Sequence, residues 1–189
     1  SAHDNLVGGT TPSAANTVVF NGVGVNITSS DSFARRNNLV EGNYIGVSAD
    51  GTSALQPGAS VYAIDFGFQG ISSGTLIGGA TPGAGNVIYG AAYGIHMRFG
   101  ITGTVIQGNY IGTDATGSHA LDAGGYGIMI IGATNTTIGG VGAGNVISGY
   151  GDAITTYNPE AEPGTVIQGN LIGTDSSGTH AIPNTGAGV

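Results

Sequence analysis

The chain has 189 residues, a formal net charge of −8, no cysteine and no tryptophan. Arg35, Arg36 and Arg98 are its only lysine or arginine residues, so no basic face exists to neutralise a phosphate backbone and nucleic acid is excluded as a partner. The missing lysine removes phosphate-binding P-loops and Schiff-base chemistry, and the missing cysteine removes thiolate nucleophiles, disulfides and thiolate metal sites.

Taken in chain order, two motifs alternate. The first copy of one is Leu6-Val-Gly-Gly9, followed by Asn16-Thr-Val-Val-Phe20; the short alternating run Val23-Gly-Val-Asn-Ile27 comes next. The other motif opens with Leu39-Val-Glu-Gly-Asn-Tyr-Ile-Gly46 and runs into a loop, Asp50-Gly-Thr-Ser-Ala-Leu55. The series then restarts with Val61-Tyr-Ala-Ile-Asp-Phe66, Leu76-Ile-Gly-Gly79, Gly85-Asn-Val-Ile-Tyr-Gly90, Tyr93-Gly-Ile-His-Met97, Thr104-Val-Ile-Gln-Gly-Asn-Tyr-Ile-Gly112 and Ala115-Thr-Gly-Ser-His-Ala-Leu121. A third round runs from Tyr126-Gly-Ile-Met-Ile130 through Thr137-Ile-Gly-Gly140, Gly144-Asn-Val-Ile-Ser-Gly149, Asp152-Ala-Ile-Thr-Thr156, Thr165-Val-Ile-Gln-Gly-Asn-Leu-Ile-Gly173 and Ser176-Ser-Gly-Thr-His-Ala-Ile182. The three repeats occupy approximately 1–60, 61–125 and 126–189. Self-similarity at such a period marks a solenoid whose units bury their apolar faces against one another.

Glycine is 38 of the 189 residues and no apolar period of 3.6 persists, so helices are excluded. Period-two runs bounded by glycine read as strands. The expected fold is all-β, a single-stranded right-handed parallel β-helix with three strands per coil and about six coils. One asparagine recurs per coil at the entry to the third strand: Asn16, Asn43, Asn86, Asn109, Asn145 and Asn170. Asparagine tolerates the left-handed bend expected there, and its amide can bond the equivalent groups one coil away, so these six form an asparagine ladder. Three inward stacks follow. First strands supply Ile27, Ile64, Ile95, Ile128 and Ile154; second strands supply Ile77, Ile106, Ile138 and Ile167; third strands supply Ile45, Ile88, Ile111, Ile147 and Ile172. The repeated loop is expected outside the wall.

The phrases Gly83-Ala-Gly-Asn-Val-Ile88 and Ile111-Gly-Thr-Asp-Ala-Thr-Gly117 resemble those of right-handed parallel β-helix repeat proteins of the pectate-lyase-like superfamily, in long exported and surface proteins of bacteria. The resemblance covers Asp4 to Val189 and implies the fold and an extracellular or cell-surface location. It implies no particular activity, because that fold carries lyases, hydrolases, epimerases, adhesins and tailspikes. No family's catalytic set transfers. The calcium-binding carboxylates of pectate lyases and the clustered aspartates with Gly-His-Gly of polygalacturonases do not occur.

Aligning the first strands sets Asn26, Asp65, His96, Met129 and Thr155 in one outward column, and Thr28, Arg98, Ile131 and Tyr157 in the next. Asp65, His96 and Arg98 then become neighbours about 5 Å apart. They are the candidate catalytic set: Asp65 orienting His96 and Arg98 holding a sugar carboxylate, the competing reading being an ordinary polar cluster. Tyr44, Tyr110 and Tyr157 are candidate carbohydrate-binding residues, since outward rings stack on sugars. His119 and His180 follow Asp114 and Asp175 at the same spacing but on copies too far apart to share an ion, so no metal site is assigned; calcium at either aspartate is the one cofactor alternative. Gly70-Ile-Ser-Ser-Gly74 matches a nucleophile elbow without the strand-to-helix turn that motif needs. Asn26-Ile-Thr28 and Asn135-Thr-Thr137 are glycosylation sequons that fit strand and turn positions equally well.

No apolar run approaches the roughly eighteen residues of a membrane helix, and no membrane insertion is expected. The chain opens in the second strand of a coil near Leu6 and closes in Gly186-Ala-Gly-Val189, which reads as a first strand; this suggests a fragment of a longer array or head-to-tail self-association. The leading functional expectation is a structural or adhesive module of an exported bacterial surface protein without catalytic activity. The alternative is a carbohydrate-active enzyme (lyase, hydrolase or epimerase) or a sugar-binding module acting on an acidic polysaccharide.

Overall fold

Glycine-bounded runs of two to six residues become strands, and each pairs with the equivalent run one coil away rather than with its neighbour in sequence. The structure, a computed structural model, describes residues 4–20, 22–28, 35–55, 62–67, 72–157 and 163–189. Val61, and Gly70 and Ile71 of the elbow match, lie outside the described residues.

Among the described residues the strands form two six-stranded sheets, one of five strands and one of three, and every strand pair is parallel. Second strands run Leu6–Gly8, Leu39–Glu41, Leu76–Gly78, Val105–Gln107, Thr137–Gly139 and Val166–Gln168. Third strands run Thr17–Val18, Tyr44–Ile45, Val87–Ile88, Tyr110–Ile111, Val146–Ile147 and Leu171–Ile172. First strands run Val23–Asn26, Tyr62–Asp65, Tyr93–Met97, Tyr126–Ile131 and Asp152–Tyr157, and the Ala153 and Ile154 amides extend this face by donating to Ala187 and Gly188. The fold is a right-handed parallel β-helix. Beyond the three expected faces it carries a short fourth ladder of Arg35–Arg36, Ser72–Ser73 and Ile101–Thr102.

The interior is a set of aliphatic columns. Ile77, Ile106 and Ile138 on the second strands and Ile45, Ile88, Ile111 and Ile147 on the third strands are fully buried. On the first strands Val25, not Ile27, aligns with Ile64, Ile95, Ile128 and Ile154. Ile27 lies one inward position further on, level with Phe66, Met97 and Ile130, because phase along the strand and not residue type sets the register. These strands also turn two successive residues inward. A Cβ at Gly94 would lie 2.9 Å from the Tyr150 hydroxyl and 3.1 Å from Ile111, so glycine precedes Ile95 where the core already holds an aromatic ring. Tyr150 is fully buried, and its hydroxyl accepts the Gly90 amide at 3.2 Å. Burial pushes its phenol well above the ordinary tyrosine value.

The six asparagines form a continuous ladder. In each step the backbone N–H and the side-chain amide donate to the Oδ1 of the next asparagine, as from Asn86 to Asn109 at 3.0 and 2.9 Å. The second amide hydrogen reaches a second-strand carbonyl, Ile77 O for Asn109 and Ile106 O for Asn145. None of the six is left-handed. The preceding Gly42, Gly108 and Gly169 take the bend, with φ of 67°, 66° and 68°. At Gly108 a Cβ would stand 2.4 Å from Gly79 O, so the close approach of coils demands glycine there.

The loops at 48–53, 114–119 and 175–180 leave the wall after the third strands, each closed by an antiparallel bridge such as Thr113 to Ala120. They touch one another directly: Ala115 N donates to Gly51 O and Ser176 N to Gly117 O, both at 2.9 Å. Loops that start two coils apart thus merge into one ridge along the axis.

Candidate functional site

Two adjacent first-strand coils bring Asp65, His96 and Arg98 together. His96 pairs with Asp65 across adjacent strands, and its Nδ1 lies 3.0 Å from Asp65 Oδ1. Arg98 stands two residues on, with Nε 3.5 Å from His96 Nε2 and Nη2 3.8 Å from Asp65 Oδ1. A guanidinium only donates and a carboxylate only accepts, so a singly protonated His96 carries its proton on Nδ1 and turns its Nε2 lone pair toward Arg98. That lone pair is the one a general base would use.

Although these side chains point away from the aliphatic core, His96 and Asp65 are closed to solvent, 3% and 6% exposed, and the Arg98 side chain keeps 12%. The cover comes from tyrosines that the sequence reading did not assign to a site. Tyr62 and Tyr93 stack at 4.8 Å with planes 6° apart, and Tyr126 continues the column at 5.4 Å from Tyr93. The His96 ring packs on both, 5.1 Å from Tyr62 and 4.8 Å from Tyr93. The Arg98 guanidinium carbon sits 5.7 Å from the centre of the Tyr62 ring. Burial, reinforced by its tyrosine neighbours, holds the Tyr93 phenol above its ordinary pKa. The recurrence of tyrosine ahead of the inward pair, at Tyr62, Tyr93 and Tyr126, was the available signal. Because the stacked rings occupy each other's faces, this column offers sugars edges rather than platforms.

The three candidate carbohydrate-binding tyrosines are not brought together. Tyr157 lies at the end of its strand and is 66% exposed. Tyr44 and Tyr110 flank Val87 on the third-strand face, two coils apart. Each leans on its own loop: a Cβ at Gly51 would lie 2.8 Å from the Tyr44 ring, and one at Gly117 2.7 Å from the Tyr110 ring.

The loop aspartates spend their oxygens on their own loops. Asp114 accepts from Thr116 Oγ1, the Ser118 and His119 amides and the His119 ring, and Asp175 accepts from Ser177 Oγ, the Thr179 and His180 amides and the His180 ring. Partial burial works against ionisation at Asp114, yet these hydrogen bonds hold its carboxyl below the ordinary range; at Asp175 the Ser177 bond leads the same effect and the lowering is large. The imidazoles of His119 and His180 extend outward, each 81% exposed at the side chain. Among the described residues no group of three or more histidines and carboxylates is placed to hold a metal ion. Asp50 repeats the arrangement in the first loop, with Ser48 and Thr52 as donors lowering its carboxyl.

Fold and ladder together define the class: a parallel β-solenoid whose polar interior is organised by stacked asparagine amides. No protein-family model, curated protein or solved structure matches the chain.

Proposed function

We propose that this chain is a structural or adhesive β-helix module of an exported bacterial surface protein, without catalytic activity of its own. The observation that carries this reading is the closure of the Asp65–His96–Arg98 cluster. Its base nitrogen faces a guanidinium, its carboxylate is bonded to the imidazole, and tyrosine rings cover the set. Such a cluster ties two adjacent coils together through charge-assisted contacts and offers no open position about 3 Å from a nucleophile or base for a reacting atom. The resemblance to exported repeat proteins and the lack of cysteine support the location outside the cytoplasm.

The experiment is a product screen. The chain is incubated with polygalacturonate, alginate and neutral glycans, and release of unsaturated or reducing ends is followed over a day, with His96→Ala alongside. No release above a protein-free control is expected. Turnover that disappears in His96→Ala would establish the cluster as catalytic and overturn the proposal.

A further inference from the structure

The third-strand face is the floor of a trough. One wall is the ridge of stacked loops, represented by Ala115; the other is the row of turns around Thr10, Pro12 and Gly83. Between them the outward side chains Tyr44, Val87 and Tyr110 form the floor of a hollow of about 200 Å³. A second hollow, of about 330 Å³, lies on the other side of Tyr110, against the turns at 79–85 and 142–144. Both hollows share Gly83, Gly85 and the Tyr110 ring.

Three properties define what fits. No charged side chain lines either hollow, and the chain's net charge is −8, so an anionic polymer meets neither a counter-charge nor a neutral background. The floor amides are already paired between coils, Val87 N to Asn43 O and Tyr110 N to Asn86 O at 2.9 Å each, so an extended peptide finds no sheet edge to join. The tyrosines recur every second coil, about 10 Å, which is close to the length of one extended disaccharide unit. Aromatic rings with hydroxyl and carbonyl groups along the rims suit pyranose rings, which present C–H faces and neutral hydroxyl edges.

We infer that this trough binds an extended neutral glycan running along the helix axis, with sugar rings seated on either side of Tyr110. The inference deepens the adhesive reading and rests on it, and it replaces the acidic polysaccharide expected earlier with a neutral one. The third repeat supplies a mild variant, because Leu171 occupies the position equivalent to Tyr44 and Tyr110 and packs beneath Gly178 in the same way.

The test is titration calorimetry with cellohexaose, xylohexaose and mannohexaose, with a galacturonate oligomer of equal length for comparison. Binding of at least one neutral probe is expected, weakened about tenfold or more in Tyr110→Leu and in Tyr44→Leu, the size of a lost aromatic contact. Tyr110→Phe is expected to bind like the parent, and all three variants to keep its melting temperature. Absence of binding by all three neutral probes at millimolar concentration, preference for the galacturonate oligomer, or unchanged affinity in both leucine variants would overturn the inference. These results are separable from the product screen: failed binding leaves the absence of catalysis standing, whereas product release removes that reading whether or not glycans bind.

Discussion

The asparagine ladder and the Asp65–His96–Arg98 cluster are both buried polar systems, built on opposite rules. Along the ladder one residue type repeats in every coil, because a neutral amide is both donor and acceptor and each copy satisfies the next. The cluster sits in a column of unlike residues, Asn26, Asp65, His96, Met129 and Thr155. A carboxylate or guanidinium cannot stack on its own kind in a medium of low dielectric, so ionisable groups must alternate in type from coil to coil. Repetition therefore solves burial for neutral groups, and its interruption solves burial for charged ones.

The comparison is broken most severely in mid-ladder. Asn109→Ala strands the backbone and side-chain donors of Asn86 and leaves Asn145 Oδ1 with the backbone N–H of residue 109 but without the side-chain amide, so a loss of about 4 kcal/mol is expected in urea unfolding, against about 1 kcal/mol for Asn16→Ala in the first coil. A similar loss at both positions would show that the ladder is not the main polar support of the interior. The cluster comes second. His96→Ala takes from the buried Asp65 carboxylate its hydrogen-bonded imidazole, with Arg98 Nη2 3.8 Å away as the weaker contact that remains, and should cost about 3 kcal/mol. Replacing Asp65 and His96 together, by leucine and by the methionine found at the next position of the column, should recover most of that loss. If the double variant is less stable than His96→Ala, the cluster contributes more than the satisfaction of its own charges.

The smallest effect belongs to the loop carboxylates, which are charged yet repeated. They escape mutual repulsion by standing two coils apart, each solvated by its own loop. Asp114 and Asp175 titrate below the unfolded aspartate value, so their contribution is complete above about pH 4 and is lost as pH falls through the folded values. Thermal melts of Asp175→Asn should fall slightly below the parent at neutral pH, with the gap closing as pH drops from 4 towards 2; a gap that does not change with pH would remove the loops from the account.

How far the sequence made this visible depended on phase. Glycine-bounded runs and one asparagine per coil fixed the coil count and the ladder, and the alignment of Asp65 beside His96 followed from the same register. The tyrosine column was hidden by a local break in alternation. Gly94 and Ile95 both face inward, so strict period two places Tyr93 on the core side with Ile95, whereas it turns out and covers His96. The closure of the cluster was illegible for the same reason: burial of an outward histidine depends on its neighbours' rings, not on its own strand. Assigning the left-handed bend to asparagine overlooked Gly42, Gly108 and Gly169, just before Asn43, Asn109 and Asn170, which adopt that conformation at lower cost.

The loop ridge has a consequence for how such a chain is allowed to vary in length. Because Gly51 bonds to Ala115 and Gly117 to Ser176, consecutive loops must lie a fixed pair of coils apart to meet. Insertion or deletion of one coil would leave a loop facing bare wall and break that contact on both sides, while gain or loss of two coils would restore it. The ridge thus acts as a parity rule, and duplication in this sequence lineage is expected to have proceeded in even steps.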